Sequence, residues 1–486
     1  MAAFFANLSC DPFSGRDAQC VVGSYVRYAV NASGASDYVA TMAFAKEHNI
    51  RLVIRNTGHD YFGKSTGAGA LALWTRHLKD ITILDYSSEA YTGKAMKMGA
   101  GVQAFEAQAA ANAQGLVVVE GDCPTMGIAG GYFQGGGASP LASKFGLAVD
   151  QVLEWEVATA TGDVLTATPS QNPDLYWALS GGGGGTYGAV LSVTIKLHQN
   201  APTAGVTLSF TEPSDKFWVI FRTFLMNLPA LLDAEVTAYW VVIPGNTFSM
   251  PQTYWLNGTA QDLEKLLQPT LTALKQSGIP HGREASPDCS GLWDMTDIIA
   301  AFASRDYPAF QDAYNTMNPD MRITEMNIGG RLIPRSLVAS ESSAATLASA
   351  IKHISSKFGI LAGVSMNVGK QPTSPNSAHP YWRESLFLAF LGTMYDRSNF
   401  TANIVGQQIV TNDLVPALEA ITPDGAAYLN EADMNQPNWQ KTFYGPNYPR
   451  LLSIKQRYDP DGIFWAKTAV GSEGWEIASD GRLCKV

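Results

Sequence analysis

The sequence holds few of the residues that mark disulfide-rich or metal-binding proteins, with 5 cysteines and 7 histidines among 486 residues. It contains no CxxC or HExxH motif, and its histidines show no ligand spacing, so we predict no metal site. No apolar run approaches the ~20 residues of a membrane span, which argues against a membrane partner. Acidic residues outnumber basic ones by 43 to 33, so nucleic acid is not an expected partner either.

Glycine is abundant, with 45 residues, and the length allows two or three domains, each with its own core. Up to residue 198 the hydrophobic pattern alternates between strands and helices. From about residue 205, strands alternate with helical segments at 215–228, 260–277 and 343–358, a pattern typical of an antiparallel sheet covered by helices on one face. The sequence therefore predicts an α+β fold.

Two features favour an oxidising, glycosylating compartment. Cys10 and Cys20 flank a turn that contains Pro and Gly, and we predict a disulfide between them. Cys289 and Cys484 remain unassigned. The stretch MAAFFANLSC has no basic region typical of a signal peptide, yet secretion is our prediction. Asn-x-Ser/Thr sequons begin at Asn7, Asn31, Asn257 and Asn399.

Three glycine-rich stretches carry the strongest signal. RNTGHDYFGKSTG (55–67) follows a short apolar strand, and GDCPTMGIAGGYFQGGGASPLASKFG (121–146) and GGGGGTYGAV (181–190) lie further along the chain. Glycine lets backbone N–H groups approach a ligand closely, so together the stretches indicate a cradle for an extended, phosphate-bearing cofactor. The alternative is that these glycines only permit tight turns. A GxGxxG fingerprint is absent after the first strand, which disfavours a Rossmann fold.

These stretches, together with NYPRLLSIKQRYDPDGIF (447–464), resemble the berberine bridge enzyme-like FAD-linked oxidases of the vanillyl-alcohol oxidase superfamily. In sequence, YLNEAD (428–433) and AVGSEGW (469–475) most resemble fungal members of the isoamyl-alcohol-oxidase-like type. The resemblance covers nearly the whole chain. It implies a two-lobed FAD-binding domain of the PCMH type (1–205), a substrate domain (206–420) and a C-terminal segment that returns to the FAD domain (421–486).

The resemblance also explains the histidine of the first stretch. His59 occupies the place of the family residue bonded to the 8α-methyl of FAD, and Cys123 matches the cysteine that bicovalent members bond to C6. The alternative for Cys123 is a small buried apolar residue. The non-covalent FAD contacts carried over from the family are Asn56, Thr57, Gly58, Asp60, Gly127, Gly131, Gly136, Gly188 and Val190.

A catalytic base is expected near the C-terminal motif, where family members often carry Tyr-x-Asn-Tyr-x-Asp. Glu431 replaces the usual tyrosine, and we predict that it is the base, with Tyr428 and Tyr448 as second choices. Met126 stands at the family's oxygen gate, three residues after the flavin-linked cysteine. The candidate substrate contacts are Tyr132, Asn327, Arg331, Trp382 and Arg383.

The implied function is an FAD-dependent oxidoreductase that oxidises an alcohol or carbohydrate hydroxyl by hydride transfer to flavin N5, with O₂ as acceptor. We expect a monomer acting on a small molecule. Two alternatives remain open: an oxidative cyclase or dehydrogenase of secondary metabolism, and a non-catalytic relative that binds a ligand.

Overall fold

The computed structural model describes residues 15–17, 19–279, 301–318, 326–478 and 481–486. Its strands are β1 (Tyr28–Asn31), β2 (Leu52–Arg55), β3 (Leu71–Trp74), β4 (Ile81–Ser87), β5 (Thr92–Gly99), β6 (Leu116–Val117), β7 (Val152–Ala158), β8 (Val164–Ala167), β9 (Ala189–Lys196), β10 (His198–Gln199), β11 (Thr203–Thr211), β12 (Thr237–Ile243), β13 (Thr247–Leu256), β14 (Ala301–Tyr307), β15 (Met326–Pro334), β16 (Ile360–Ser365), β17 (Ser385–Met394), β18 (Trp475–Ile477) and β19 (Leu483–Lys485). Its helices are α1 (Ala35–Glu47), α2 (Ala104–Asn112), α3 (Phe133–Gly135), α4 (Ala142–Phe145), α5 (Pro173–Leu179), α6 (Lys216–Asp233), α7 (Ala260–Gln276), α8 (Phe310–Met317), α9 (Glu341–Ser356), α10 (Phe400–Ile409), α11 (Val415–Glu419) and α12 (Tyr448–Tyr458).

The first part of the chain builds two sheets that together form one lobe. Strands β1, β3 and β2 form a parallel sheet in that order, and β4, β5, β9, β7 and β8 form an antiparallel sheet in that order. All eight residues of β9 are buried, which is expected of the central strand of a covered sheet. The glycine-rich stretches connect these strands, so they meet on one side of the lobe.

The middle of the chain forms a seven-stranded antiparallel sheet in the order β14, β11, β13, β12, β16, β17, β15. Side chains of a strand alternate between the two faces, and β12 follows this rule. Trp240 packs with the helices, its ring centroid lying 5.5 Å from that of Phe221 in α6. Tyr239 points to the opposite face, where it packs against the first lobe. One face of the sheet is therefore covered by α6, α7 and α9, and the other, on which α8 packs, faces the first lobe.

Local sequence signals set the starts of the covering helices. The Thr259 hydroxyl accepts a hydrogen bond from the Asp262 backbone N–H at the start of α7, at 3.2 Å. Ser340 caps α9 in the same way through the Ser343 N–H. Such caps satisfy backbone donors that have no partner inside the helix. Among the described residues, no helix is both long and apolar enough to cross a membrane.

The predicted α+β fold, with an antiparallel sheet covered by helices, is confirmed. The helical segments predicted at 215–228, 260–277 and 343–358 correspond to α6, α7 and α9. The boundaries of the three predicted segments stay predictions. Cys10, Cys289 and Asn7 lie outside the described residues, so the Cys10–Cys20 disulfide also stays a prediction.

The end of the chain returns to the first lobe through α12. The buried ammonium of Lys455 donates hydrogen bonds to the backbone oxygens of Thr186 and Phe464, at 2.8 and 2.6 Å, and to the Asp459 carboxylate at 2.5 Å. Thr186 belongs to the third glycine-rich stretch. One lysine therefore fixes the C-terminal segment against that stretch.

Replacing Lys455 with Met should destabilise the protein by about 3–5 kcal/mol, because Asp459 would keep a buried charge without its cation. Thermal unfolding followed by circular dichroism measures the loss. Lys46→Met is the matched control, since Lys46 pairs with Asp461 while both side chains are about half exposed. Equal melting temperatures for Lys455→Met and Lys46→Met would contradict the assignment.

Candidate active site

A cavity of about 430 Å³ lies where the three glycine-rich stretches meet. The C-terminal segment closes it from the other side with residues 428, 430, 431 and 464–466. Volumes of this size are typical of small-molecule and cofactor sites. Its wall includes, from the three stretches, Asn56, Thr57, Gly58, His59, Asp60, Tyr61, Lys64, Ser65, Cys123, Met126, Gly127, Ala129, Gly130, Gly131, Tyr132, Gln134, Gly184, Gly185, Gly188 and Val190.

The first stretch turns sharply as it leaves β2. Gly58 adopts φ +82°, a left-handed conformation that other residues rarely take. The Asp60 carboxylate accepts hydrogen bonds from the backbone N–H groups of Phe62, at 3.1 Å, and Lys64, at 2.5 Å, and so closes the turn from within. His59 is thereby held at the mouth of the cavity.

The two residues predicted to bond FAD lie together although 64 positions separate them. The Cys123 Sγ atom is 3.6 Å from His59 Nδ1, and His59 Nε2 lies 3.0 Å from the Thr125 hydroxyl. Although the imidazole keeps an exposed edge, desolvation by the cavity wall lowers the pKa of His59 to about 4. Desolvation also raises the pKa of Cys123. At neutral pH the imidazole is therefore uncharged and retains a nucleophilic lone pair.

The cavity wall fits a long, polar cofactor such as FAD. A Cβ atom added to Gly130 or Gly131 would meet nothing closer than 4.0 or 3.7 Å, so side chains there would occupy the cavity itself. Asn56 Oδ1, Ser65 Oγ and Gln134 Oε1 are buried in the wall and find no hydrogen-bond partner in the described part of the chain. Buried polar atoms are almost always paired, so a polar ligand accounts for these atoms.

The remaining predicted cofactor residues separate into two groups. Thr57, Gly127, Gly188 and Val190 line the cavity. Gly136 is not part of the wall: a Cβ atom there would lie 3.6 Å from the Tyr428 ring, behind that residue. Gly136 therefore lies beside Tyr428 and outside the cavity wall, and its predicted contact with FAD stays a prediction.

Of the candidate bases, Glu431 and Tyr428 line the cavity and Tyr448 does not. Desolvation, followed by the charge of Asp122, raises the pKa of Glu431 to about 7. The Tyr428 hydroxyl oxygen accepts hydrogen bonds from Gly137 N–H, at 3.2 Å, and Asn430 Nδ2, at 2.7 Å. Burial raises the pKa of Tyr428, so its phenol stays protonated.

Tyr448 lies at the first position of α12, outside the cavity. Its hydroxyl donates to the Glu473 carboxylate at 2.5 Å and accepts from the Gly471 N–H at 3.3 Å. Both contacts connect α12 with the C-terminal segment. Tyr448 therefore does not face the cavity, whereas Glu431 and Tyr428 do.

Among the candidate substrate contacts, Tyr132 lines the cavity, while Asn327 and Arg331 do not. The Asn327 side chain donates to the Thr393 hydroxyl at 3.2 Å. The buried Arg331 guanidinium donates to the Thr422 hydroxyl at 2.8 Å and also to its backbone oxygen. These bonds connect β15 to its neighbours.

Trp382 and Arg383 also lie outside the cavity wall. The Trp382 ring packs edge-on against the Tyr428 ring with centroids 5.4 Å apart. Arg383 forms a two-point ion pair with Asp150, with nitrogen–oxygen distances of 2.8 and 2.7 Å. Trp382 thus packs behind a residue of the cavity wall, whereas Arg383 pairs with a carboxylate away from it, and the substrate roles of both residues stay predictions.

Sequence reasoning missed several cavity residues. Lys64 lines the wall with its ammonium 4.8 Å from the centroid of the Phe62 ring, and Asn430 donates to the Gly131 carbonyl at 2.8 Å. Lys64 lies in RNTGHDYFGKSTG and Asn430 in YLNEAD, so their positions in these motifs could have indicated a place in the cavity. Trp465 had no such signal, because it follows the motif that ends at residue 464.

The fold and this cavity define the chain as a flavoprotein oxidoreductase. A family model described as an FAD binding domain matches residues 26–168, and one described as berberine and berberine like matches residues 427–471. The two matches include the stretches that carry His59, Cys123 and Glu431.

Proteins of this class are similar to nearly the whole chain in sequence and in structure. FAD-linked oxidoreductase sor8 of Hypocrea jecorina is 44% identical over 100% of this chain and 82% of its own length. Bifunctional decalin synthase calF of Penicillium decumbens is 38% identical over 99% of this chain and 82% of its own. The crystal structure of the VAO-type flavoprotein MtVAO615 from Myceliophthora thermophila C1 matches with TM-score 0.90 and 38% identity, over 99% of this chain and 86% of that one. The chain belongs to the berberine bridge enzyme-like, VAO-type family of FAD-linked oxidoreductases.

Gly131→Leu should lower the FAD content of the purified protein severalfold, because its side chain would occupy the cavity while the surrounding chain has room for a Cβ atom. The ratio of flavin to protein absorbance measures occupancy. Gly474→Leu is the control, since a Cβ atom at Gly474 would meet nothing within 4 Å and the residue lies outside the cavity wall. Full flavin content in Gly131→Leu would show that the cofactor lies elsewhere.

Proposed function

We propose that this FAD-dependent oxidoreductase oxidises a CH–OH group of an alcohol or carbohydrate, with Glu431 as the base. The observation that carries the proposal is a carboxyl group in the cavity wall whose pKa is raised to about 7 by desolvation and by Asp122. A base with a pKa near the working pH combines a large ionised fraction with useful basicity. FAD, when bound in this cavity, would supply the two-electron acceptor for a hydride, at flavin N5.

Proton transfer and orientation of the substrate fall to two residues of the chain, Glu431 and Tyr428. Glu431 takes the proton of the substrate hydroxyl and holds it on a carboxyl oxygen. Tyr428 is unsuited to that role, because its raised pKa keeps the phenol protonated. Its oxygen already accepts two hydrogen bonds, which leaves its proton free to be donated into the cavity and to orient the substrate oxygen.

The proposal includes two covalent tethers, from His59 to the 8α position and from Cys123 to C6 of FAD. The 3.6 Å separation of Cys123 Sγ and His59 Nδ1 supports it, since both side chains reach the same end of one cavity. The neutral imidazole is also in the form that can attack an electrophilic carbon.

O₂ is the proposed electron acceptor, and Met126, which lines the cavity, is the residue we expect to control its access. The protein is proposed to act as a secreted monomer. The exposed positions of Asn31, Asn257 and Asn399 are compatible with glycosylation. Glycosylation and secretion stay predictions.

A second candidate is oxidative ring closure. The relative named decalin synthase, 38% identical over 99% of this chain, favours it. Both reactions would use the same cavity and the same base, and they differ in whether the oxidised carbon is attacked by a nucleophile within the substrate. Product analysis by mass spectrometry distinguishes a dehydrogenated product from a cyclised one.

The first prediction from this proposal is that FAD stays attached to acid-precipitated protein and that the intact mass exceeds the polypeptide by one FAD. His59→Ala and Cys123→Ala should each retain covalent flavin through the other residue, and the double variant should release it. Thr125→Ala is the control, because Thr125 contacts His59 without a proposed bond to FAD. Complete release of FAD from denatured wild-type protein would contradict the tethers.

The second prediction concerns Glu431→Gln. An anaerobic panel of alcohols and sugars first identifies the compound that reduces the flavin fastest, and stopped-flow absorbance then measures the rate. General-base catalysis typically contributes ~10²–10⁴-fold, so Glu431→Gln should slow reduction by that factor with little change in substrate affinity. In the wild type the rate should rise as pH increases through about 7, where Glu431 loses its proton, and the variant should lack this rise.

Tyr448→Phe is the matched control and should reduce its flavin at the wild-type rate, because Tyr448 lies outside the cavity wall. If Glu431→Gln reacts within about threefold of wild type while Tyr428→Phe abolishes reduction, the base is a tyrosine and the Glu431 assignment is wrong.

A further inference from the structure

One basic side chain lines the cavity. Lys64 is the only lysine or arginine in the part of the wall that the structure describes. Its ammonium lies 4.8 Å from the centroid of the Phe62 ring, and it forms no ion pair and donates no hydrogen bond to any described residue. Desolvation by the wall lowers the pKa of Lys64, and the Asp60 charge opposes this only in part. A cation removed from water without a partner is costly, so its place in the wall indicates an anionic ligand.

The two carboxyl groups of the wall do not supply that anion. Asp60 binds the backbone of the first stretch instead, because its Oδ2 atom accepts hydrogen bonds from the N–H groups of Phe62 and Lys64. Glu431, the other wall carboxyl, has its pKa raised by desolvation and Asp122, with no contribution from Lys64. The Lys64 ammonium is therefore left for a group that enters the cavity.

The next residue adds a second donor. Ser65 also lines the cavity and is 7% exposed, and its hydroxyl finds no hydrogen-bond partner among the described residues. A serine hydroxyl donates one hydrogen bond and a lysine ammonium up to three. An ammonium beside a hydroxyl is a donor set that phosphate oxygens accept from, and hydrogen bonds between ionised partners are the strong ones.

A second cation lies behind this part of the wall. The guanidinium carbon of Arg51 is 5.0 Å from the centroid of the Trp465 ring, which lines the cavity. A Cβ atom at Gly67, three positions after Lys64, would lie 2.6 Å from the same carbon. Arg51 Nε is buried without a hydrogen-bond partner in the described part of the chain. The charge of Arg51 therefore adds to the positive potential around segment 64–67.

The charge distribution of FAD determines which of its groups fits here. Its two phosphate groups are ionised at neutral pH, whereas the adenine, the ribityl chain and the oxidised isoalloxazine are uncharged. We infer that Lys64 and Ser65 form the diphosphate subsite of the cavity, in which the Lys64 ammonium provides the counter-charge for FAD. The inference rests on FAD binding in this cavity and is independent of the CH–OH oxidation proposed above.

The test uses the full chain carrying His59→Ala and Cys123→Ala as the parent, because its flavin can be removed whether or not those residues form tethers. Binding of FAD and riboflavin is measured by quenching of flavin fluorescence, and binding of adenosine diphosphate (ADP) by its competition with FAD. Riboflavin carries the isoalloxazine without phosphate, and ADP carries the diphosphate without the isoalloxazine. No oxidisable substrate is present, so the outcome does not depend on the reaction catalysed.

Lys64→Met should weaken binding of both FAD and ADP roughly 10–100-fold, the effect of one charge-assisted hydrogen bond, and change riboflavin binding by less than about threefold. Ser65→Ala should weaken FAD and ADP roughly 2–10-fold. It should keep the melting temperature of the parent, since the hydroxyl it removes has no described partner.

Lys64→Arg separates the charge from the rest of the side chain. In the parent, FAD affinity should fall as pH rises through the lowered pKa of Lys64, because the free ammonium loses its proton. Lys64→Arg should retain FAD affinity within about tenfold and should lack this alkaline loss, because a guanidinium stays charged. Lys97→Met is the matched control and should bind FAD as the parent does, since Lys97 pairs with Glu156 at 3.3 Å outside the cavity wall.

The inference is overturned if Lys64→Met binds FAD and ADP as tightly as the parent, or if it weakens riboflavin as much as FAD, which would place the ammonium at the isoalloxazine. It is also overturned if ADP does not displace FAD from the parent. Should Lys64→Met fail to fold, an equal alkaline loss in the parent and in Lys64→Arg overturns it.

Discussion

The close approach of three backbone segments is the constraint on which the site depends. At Gly127 a Cβ atom would lie 2.2 Å from Asn56 Nδ2, and at Gly184 one would lie 2.8 Å from the Gly131 Cα atom. A side chain at Gly184 would press on the backbone of the second stretch, and one at Gly127 would displace the Asn56 side chain. Because these positions lack side chains, the stretches meet closely and leave between them a cavity with several glycines in its wall, where a phosphate-bearing cofactor can approach the backbone.

The C-terminal segment completes this arrangement and determines its electrostatics. Lys455 fixes α12 to the third stretch, and Asn430 bonds the Gly131 carbonyl of the second. Closure removes water from the titratable groups in the wall. The same desolvation lowers the pKa of His59 and raises that of Glu431, because burial disfavours the charged form of each. The lowered pKa of the imidazole and the raised pKa of the carboxyl therefore share one physical cause.

The two faces of the seven-stranded sheet pack against different partners. One face packs against α6, α7 and α9 in a large apolar core, which makes the sheet a rigid support. The other carries α8 and presents Tyr239 and Tyr254 to apolar residues of the first lobe. Since strand residues alternate between faces, β12 contributes Trp240 to the core and Tyr239 to the contact with the first lobe. Alternating positions of one strand therefore serve both the core and the contact between the lobes.

The sequence alone was sufficient for the fold class and the family, and it pointed to three residues that the structure places in the wall of the cavity. His59, Cys123 and Glu431 lie in short contiguous motifs, and glycine-rich local turns place such residues with little help from distant parts of the chain. Side chains whose partners lie far along the chain could not be interpreted in this way. Arg383 has the character of an exposed substrate contact in sequence, but Asp150, 233 positions away, neutralises it. The sequence by itself determined the motifs that form through local backbone geometry. Only the tertiary structure determined which charges pair, which side chains are buried and which pKa values shift, because these properties depend on distant groups that exclude water.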